Sequence, residues 1–224
     1  MALRLGRGSH ILLPVGNNCF MRLLVTGGAG FIGHALVTEL VAGPVPGLVA
    51  RAGERVTVRV LDSLRTDVHR DGGRSARERL AELGVEVVVG DLRDTSVVES
   101  ALTAVDAVVH LAAKVGLGVG IDDMDDYVSS NDHGTAVPLR SMADANVQRL
   151  VQASSMVVYG EGRYSCEEHG VVSPTPRRRE ALSHGRFEPL CPHCGADLVP
   201  GMVSEDAPID PRNTYAATKV AQEH

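Results

Sequence analysis

The segment Thr26-Gly27-Gly28-Ala29-Gly30-Phe31-Ile32-Gly33 joins a short apolar run, Arg22–Thr26, to a stretch with helical spacing through Ile32, Leu36, Val37 and Leu40 that stops at Gly43-Pro44. Glycines at 27, 30 and 33 let the chain reverse tightly at a strand end and let the helix pack close to the strand it has just left. Such a turn also leaves backbone N–H groups at a helix start open to an anion. The rest of the chain repeats the arrangement. Strands are expected at Val56–Leu61, Val85–Val89, Ala107–Leu111 and Arg149–Ser154, and helices at Ser75–Leu83, near Thr95–Leu102 and over residues 122–145. Strands alternating with helices of this length imply βαβ units, hence a parallel sheet with helices on both faces, an α/β fold of Rossmann type. Pro138 falls inside the last helix, where a proline removes a backbone bond, so a kink or a break is expected there.

The composition agrees with that sheet. Hydrophobic residues make up 44% of the 224, but aromatics only 3%, and tryptophan is absent. The core therefore rests on Val, Leu, Ile and Ala, the make-up of strands buried on both faces. A net charge of −6 without a basic stripe argues against nucleic acid as a partner. Arg177-Arg178-Arg179 reads as a solvated loop face. No apolar stretch reaches the ~18 residues that span a bilayer, so no membrane partner is expected. Ile11–Val15 falls short of a secretory core, so residues 1–20 are read as a disordered extension and the protein as cytoplasmic.

An acidic residue, Asp62, closes the second strand. A carboxylate there accepts both hydroxyls of an adenosine ribose and repels a 2′-phosphate, which favours NAD over NADP, although the nearby Arg65 softens that preference. The strand–turn–helix context is the one that a dinucleotide-binding turn requires.

The turn departs from the commoner G-x-G-x-x-G spacing. TGGAGFIG instead resembles the extended short-chain dehydrogenase/reductase family, which includes NAD-dependent sugar-nucleotide epimerases and dehydratases. Further segments agree in order: LDSL at 61–64, GDLRD at 90–94, HLAA at 110–113, Asn131 before Gly134-Thr135, SSMVVYG at 154–160 and YAATK at 215–219. The resemblance implies that Gly27, Gly30, Phe31, Ile32 and Gly33 line a pyrophosphate and that Asp62 holds the ribose. It implies that Asp91 and Leu92 meet the adenine, that Leu111, Ala112 and Ala113 run under the cofactor, and that Asn131 belongs to the cofactor site. Tyr215, Lys219 and Ser155 match the family's catalytic Tyr-x-x-x-Lys and Ser/Thr. Tyrosine and lysine at this spacing share a helix face. The lysine charge then favours a phenolate, which removes a hydroxyl proton while hydride leaves for the nicotinamide.

The resemblance also separates reactions. Dehydratases of the family carry an Asp-Glu pair after the catalytic Ser/Thr, and its decarboxylases a glutamate. Here Met156 and Val157 stand there, which cannot exchange protons. A 4-epimerase needs only oxidation at C4, rotation of the keto-sugar and hydride return to the other face. The implied partner is a dTDP- or UDP-linked sugar, with a homodimer as the family's usual assembly. Relatives continue past the Tyr-x-x-x-Lys helix into a sugar-nucleotide lobe. The C-terminal substrate lobe is thus expected to be missing here, and the chain, as it stands, is expected not to turn over sugar nucleotides. The competing reading is a non-catalytic NAD- and zinc-binding remnant, or another sugar-nucleotide oxidoreductase of the same family.

The region 160–212 breaks the βα rhythm. Within it Cys166-x2-His169 is followed, after 21 intervening residues, by Cys191-x2-Cys194. Paired ligands at this spacing suit a tetrahedral Cys₃His zinc site of structural role. His193 is a competing ligand, a redox pair of Cys191 and Cys194 is the alternative, and Cys19 falls outside the set as a free thiol. The expected organisation is an extension at 1–20, an NAD-binding domain at 21–164, a small zinc-ribbon-like insertion at 165–203, and at 204–224 the start of the catalytic helix. The insertion is similar to that of dTDP-L-rhamnose 4-epimerase-like proteins.

Overall fold

Leu23, Leu24 and Val25 are all buried, though neighbouring side chains on a strand point to opposite faces. A strand covered on both sides is the result, and the computed structural model shows what covers it. It describes residues 20–43, 55–116 and 120–224. The extension before Phe20, Cys19 and Pro44 lie outside the described residues. The described chain forms two compact units, one running to Ala153 and the other from Ser154 to His224.

The first unit holds β1 (Phe20–Thr26), α1 (Phe31–Ala42), β2 (Arg55–Asp62), α2 (Arg74–Glu82), β3 (Glu86–Val89), α3 (Thr95–Ala101), β4 (Ala107–His110), α4 (Met124–Tyr127), α5 (Gly134–Asp144) and β5 (Leu150–Gln152). Its five strands pair in the order β3-β2-β1-β4-β5, every pair parallel. On one face Leu23, Val25, Val58 and Val60 pack with Val37 and Leu40 of α1 and Ala76 and Leu80 of α2. On the other, Leu24, Leu61 and Val108 pack with Val98 and Ala101 of α3 and Met142 of α5. The expected parallel sheet with helices on both faces is therefore present. Among the described residues no helix is long and apolar enough to cross a membrane.

The helix expected over 122–145 is not one regular helix, and it does not break at Pro138. Pro138 sits buried inside α5, and the departure lies one turn earlier, as a π-helical turn over Val128–His133 between α4 and α5. Proline has no N–H for the Gly134 carbonyl, and its ring crowds that carbonyl. A wider i→i+5 turn lies immediately ahead, and the helix runs on through the proline.

The second unit holds a 3₁₀ turn (Met156–Tyr159), β6 (Arg163–Cys166), β7 (Gly170–Val172), α6 (Arg179–Ser183), β8 (Val199–Gly201) and α7 (Thr214–Glu223). Its strands form an antiparallel sheet in the order β7-β6-β8, around a small core of Tyr164, Cys166, Val172, Cys191 and Leu198.

The glycine turn is where packing is least forgiving. A Cβ at Gly33 would overlap the Gly27 carbonyl oxygen and stand 2.7 Å from Gly28 Cα, whereas one at Gly30 would meet only the Gly27 oxygen at 3.3 Å. Gly33→Ala is therefore expected to destabilise the first unit by about 2–3 kcal/mol, the cost of overpacking a rigid site, and Gly30→Ala by less than about 1 kcal/mol. Urea unfolding of the two variants checks this, and equal midpoints would contradict it.

Candidate functional site

The turn after β1 opens one end of the parallel sheet into a cavity of about 400 Å³. Gly27, at φ +70°, donates its N–H to Leu61 O at 2.9 Å, so the turn is stitched to the end of β2. Gly30 then begins α1 in an extended conformation, with no side-chain cap and no acidic residue in the first turn. The first intrahelical bond is His34 N–H to Gly30 O. The earlier N–H groups of the helix thus have no intrahelical acceptor and carry its positive dipole end. Phe31 is 95% exposed there, an apolar side chain with no protein cover.

The structure gathers Gly27, Gly30, Phe31, Ile32, Gly33, Asp62, Asp91, Leu92, Leu111, Ala112 and Ala113 around this cavity. Asp62 is placed by the turn it serves: its carboxylate accepts from Ala29 N–H at 3.0 Å and from Leu64 N–H at 2.9 Å. Each oxygen keeps a lone pair for another donor. Asp91 accepts from the Arg93 guanidinium, which holds its carboxyl below the usual range, and Arg93 also donates to Ser129 Oγ at 2.8 Å. Beneath Ala112 runs a buried relay. Ala112 N–H donates to Thr26 Oγ1 at 3.3 Å, Thr26 Oγ1 pairs with His110 Nδ1 at 2.8 Å, and His110 Nε2 pairs with Thr135 Oγ1 at 3.0 Å. Asn131 is fully buried behind the wall. Its side chain brackets Lys114, accepting from the backbone N–H at 2.7 Å and donating to the carbonyl at 3.0 Å.

Ser63, Arg65, His69, Arg93, Lys114 and Ser130 also line the cavity, and of these the sequence singled out only Arg65. They come from loops and helices whose meeting point no local pattern encodes. Arg65 binds Asp126 of α4 in a two-point fork at 2.8 and 2.9 Å and Asp67 at 3.0 Å, and Lys114 Nζ donates to Asp126 at 2.7 Å. Hydrogen bonds from Arg65, then Lys114, hold the Asp126 carboxyl well below the usual carboxylate range, while the same pairing raises Arg65.

In the second unit the expected ligand set converges. One ligand atom each from Cys166, His169, Cys191 and Cys194 lies within 4.8 Å of all the others. Cys166 Sγ is 3.5 Å from His169 Nδ1 and 3.6 Å from Cys194 Sγ, and Cys191 Sγ is 3.8 Å from His169 Nδ1. Metal bonds of ~2.3 Å to sulfur and ~2.0–2.1 Å to nitrogen, at tetrahedral angles, put ligand atoms about 3.6–3.8 Å apart. The three thiols are free, whereas a disulfide brings two sulfurs to about 2.05 Å. Hydrogen bonding to His169 pushes the Cys166 thiol down to about 6. The turns that carry the pairs match: Cys166 opposes Gly170 across the β6–β7 hairpin, and Gly195 N–H donates to Cys191 O at 2.9 Å. His193 is outside the cluster, its ring centroid 5.0 Å from that of His169.

Ser155 caps the 3₁₀ turn by accepting from Val157 N–H at 3.4 Å, and α7 packs against that turn. Asn213 caps α7, accepting from Ala216 N–H at 2.7 Å. Glu223 near its other end accepts from Ser154 Oγ. Tyr215 and Lys219 lie one helical turn apart on α7, and Lys219 is only 4% exposed. Burial pushes its ammonium down to about 8, opposed by Glu223.

A sequence profile of the NAD dependent epimerase/dehydratase family matches residues 23–181. The dTDP-L-rhamnose 4-epimerase of Burkholderia thailandensis is 31% identical over 210 residues, covering 91% of this chain and 52% of that protein. The dTDP-glucose 4,6-dehydratase of Streptomyces niveus is 34% identical over 185 residues, covering 80% and 52%. Among solved structures, the dTDP-glucose 4,6-dehydratase of Streptomyces venezuelae with NAD bound superposes with a TM-score of 0.62 at 30% identity, covering 91% of this chain and 49% of that one. The UDP-glucose 4-epimerase of Stenotrophomonas maltophila, bound to NAD and formylated UDP-arabinopyranose, gives 0.61 at 28%, covering 91% and 46%. The chain spans about half the length of the relatives it matches.

The burial of Lys219 has a measurable consequence. Unfolded, the group holds its proton to pH 10.5; folded, only to about 8. Between those values the unfolded chain carries the extra proton, so this group's contribution to stability rises as pH rises through that window and is smallest below it. An NMR titration of labelled lysine is expected to show one resonance, absent in Lys219→Arg, with a midpoint near 8. A midpoint at the ordinary value would contradict the buried placement.

Proposed function

The chain belongs to the NAD dependent epimerase/dehydratase family, and from that premise we propose that it carries the cofactor site and catalytic groups of an NAD-dependent sugar-nucleotide 4-epimerase. The two residues after Ser155 carry the choice of reaction class. Met156, 79% exposed, and Val157 have no proton to exchange, while Tyr215 and Lys219 share α7. That set suffices for oxidation and reduction at one carbon and offers no acid for eliminating water. Relatives of both reaction types match the chain, so the choice between them rests on these side chains.

The cavity fits NAD by its donor set. The uncapped start of α1 suits a pyrophosphate, and Asp62 keeps acceptor capacity for two ribose hydroxyls. Leu92 and the paired Asp91 serve the adenine, and Leu111, Ala112 and Ala113 form a smooth floor. Asn131 acts one layer back, fixing Lys114. Bound NAD supplies the hydride acceptor. Tyr215, one helical turn from Lys219, would take the proton of the sugar 4-hydroxyl as hydride leaves C4, and Ser155 would hydrogen-bond the same oxygen. Once the 4-keto sugar has presented its other face, Tyr215 would give the proton back to its 4-oxygen. The substrate is a dTDP- or UDP-linked sugar, the class named for the relatives.

We also infer that Cys166, His169, Cys191 and Cys194 hold one structural zinc ion. Their ligand atoms all lie within 4.8 Å of one another, three of the separations at 3.5, 3.6 and 3.8 Å, and no carboxylate stands in the set to activate water. Zinc would tie the β6–β7 hairpin to the Cys191–Gly195 turn in a unit whose apolar core is small.

Calorimetry of the chain is expected to show NAD binding more tightly than NADP, with Asp62→Ala weakening NAD by about 10- to 100-fold, the loss of hydrogen bonds to a charged acceptor. Equal affinity for both dinucleotides would refute the role of Asp62. For turnover, the chain is to be fused to the remaining half of the Burkholderia relative. Tyr215→Phe should then cut epimer formation from dTDP- or UDP-sugars by about 10²- to 10⁴-fold with NAD still bound, and near-normal turnover would mean the base is misassigned. Elemental analysis of chelator-free protein should give about one zinc per chain, lost in Cys191→Ser. Metal-free protein equally resistant to proteolysis across 165–203 would end the zinc reading.

A further inference from the structure

Arg65 lies three positions after Asp62 and lines the same cavity. In a dinucleotide site an arginine in this neighbourhood is what accommodates the 2′-phosphate of NADP. Taken alone, its presence favours a site tolerant of both cofactors. Its partners point the other way. A guanidinium has five N–H groups. Nε–H donates to Asp67 Oδ1 at 3.0 Å, and Nη2 donates to Asp67 Oδ2 at 3.0 Å and to Asp126 Oδ2 at 2.8 Å. Nη1 donates to Asp126 Oδ1 at 2.9 Å and reaches Ser130 Oγ at 3.4 Å. These contacts engage all the donors, and two carboxylates outweigh the single positive charge. Asp126 also takes the ammonium of Lys114, another cation on the cavity wall, at 2.7 Å.

We propose that Asp126, assisted by Asp67, sets the cofactor specificity of this site by withholding Arg65 from a 2′-phosphate. Asp62 repels the phosphate directly; Asp126 removes the group that would otherwise receive it. It is a positioning residue, 61 positions away in sequence from the arginine it controls. The proposal rests on the reading of the cavity as a dinucleotide site. Its chemistry is specific, because a forked arginine–carboxylate pair is rigid and its donors cannot serve a second anion without breaking.

The test is calorimetric titration of the whole chain with NAD, NADP and 2′,5′-ADP, in native protein, Asp126→Asn, Asp67→Asn and the double variant. Asp126→Asn removes the charge and keeps one acceptor oxygen, for either Ser130, which donates to Oδ1, or Lys114, which donates to Oδ2. Asp67 is exposed, so Asp67→Asn keeps the test open should the other variant fold poorly. The expected result is a gain in NADP and 2′,5′-ADP affinity of about tenfold or more, the size of a charge-assisted hydrogen bond, with NAD affinity changed by less than about threefold. The gain must vanish when Arg65→Met is added. A gain that survives without Arg65 would come from lost repulsion alone and overturns the proposal. So does native NAD binding with unchanged NADP affinity in every variant, which leaves the NAD reading standing. Native protein that binds no dinucleotide overturns both.

Discussion

The tie between the glycine turn and the end of β2 is what the cavity depends on. Gly27 N–H reaches the Leu61 carbonyl and Ala29 N–H reaches the Asp62 carboxylate, so β1, the turn and β2 are locked at one point. Side chains at 27 or 33 would enter space already taken by backbone, which is why the lock tolerates only glycine there. This lock sets the start of α1, the placement of Asp62 and the open N–H groups that face the cavity. Asp62 thus has a structural task as well as the ligand role we propose for it. A carboxylate with several lone pairs can do both.

The charged wall beside the turn obeys a different logic. Surface ion pairs contribute little stability one by one. Here Arg65, Lys114 and Asp126 form a connected set at a cavity rim, with Asp67 at its outer edge. What such a set does is decide which charges are free to meet an incoming anion. The π-helical turn supports the same wall, since Ser129, Ser130 and Asn131 all lie on it and contact Arg93, Arg65 and Lys114 respectively.

The second unit solves a size problem. Its buried core of Tyr164, Cys166, Val172, Cys191 and Leu198 is small, and two of these five are thiols of the cluster. A domain with so little apolar surface gains from a cross-link. The same unit carries α7, which is held by a capping asparagine at its start and by Ser154 at Glu223. Its lysine is buried before any ligand arrives.

The sequence by itself determined the α/β class, the five strands of the parallel sheet, the glycine turn, Asp62 at the end of β2 and the two Cys/His pairs that converge in the second unit. Each is written in local signals: apolar runs, a glycine spacing dictated by backbone contact, and two x2 pairs whose turns are autonomous. It also placed Tyr215 and Lys219 one turn apart, since helical periodicity needs no tertiary context. Only the tertiary structure decided the rest. Pro138 read as a kink or a break, but α5 runs through it, and a π-helical turn lies one turn earlier. Arg65 read as an ambiguous cation beside Asp62, because nothing near it in sequence reveals Asp126. Asn131 read as a cofactor ligand, yet burial turns its amide to the backbone of Lys114. These side chains meet across long loops, and which donor finds which acceptor depends on distances that only the folded chain sets.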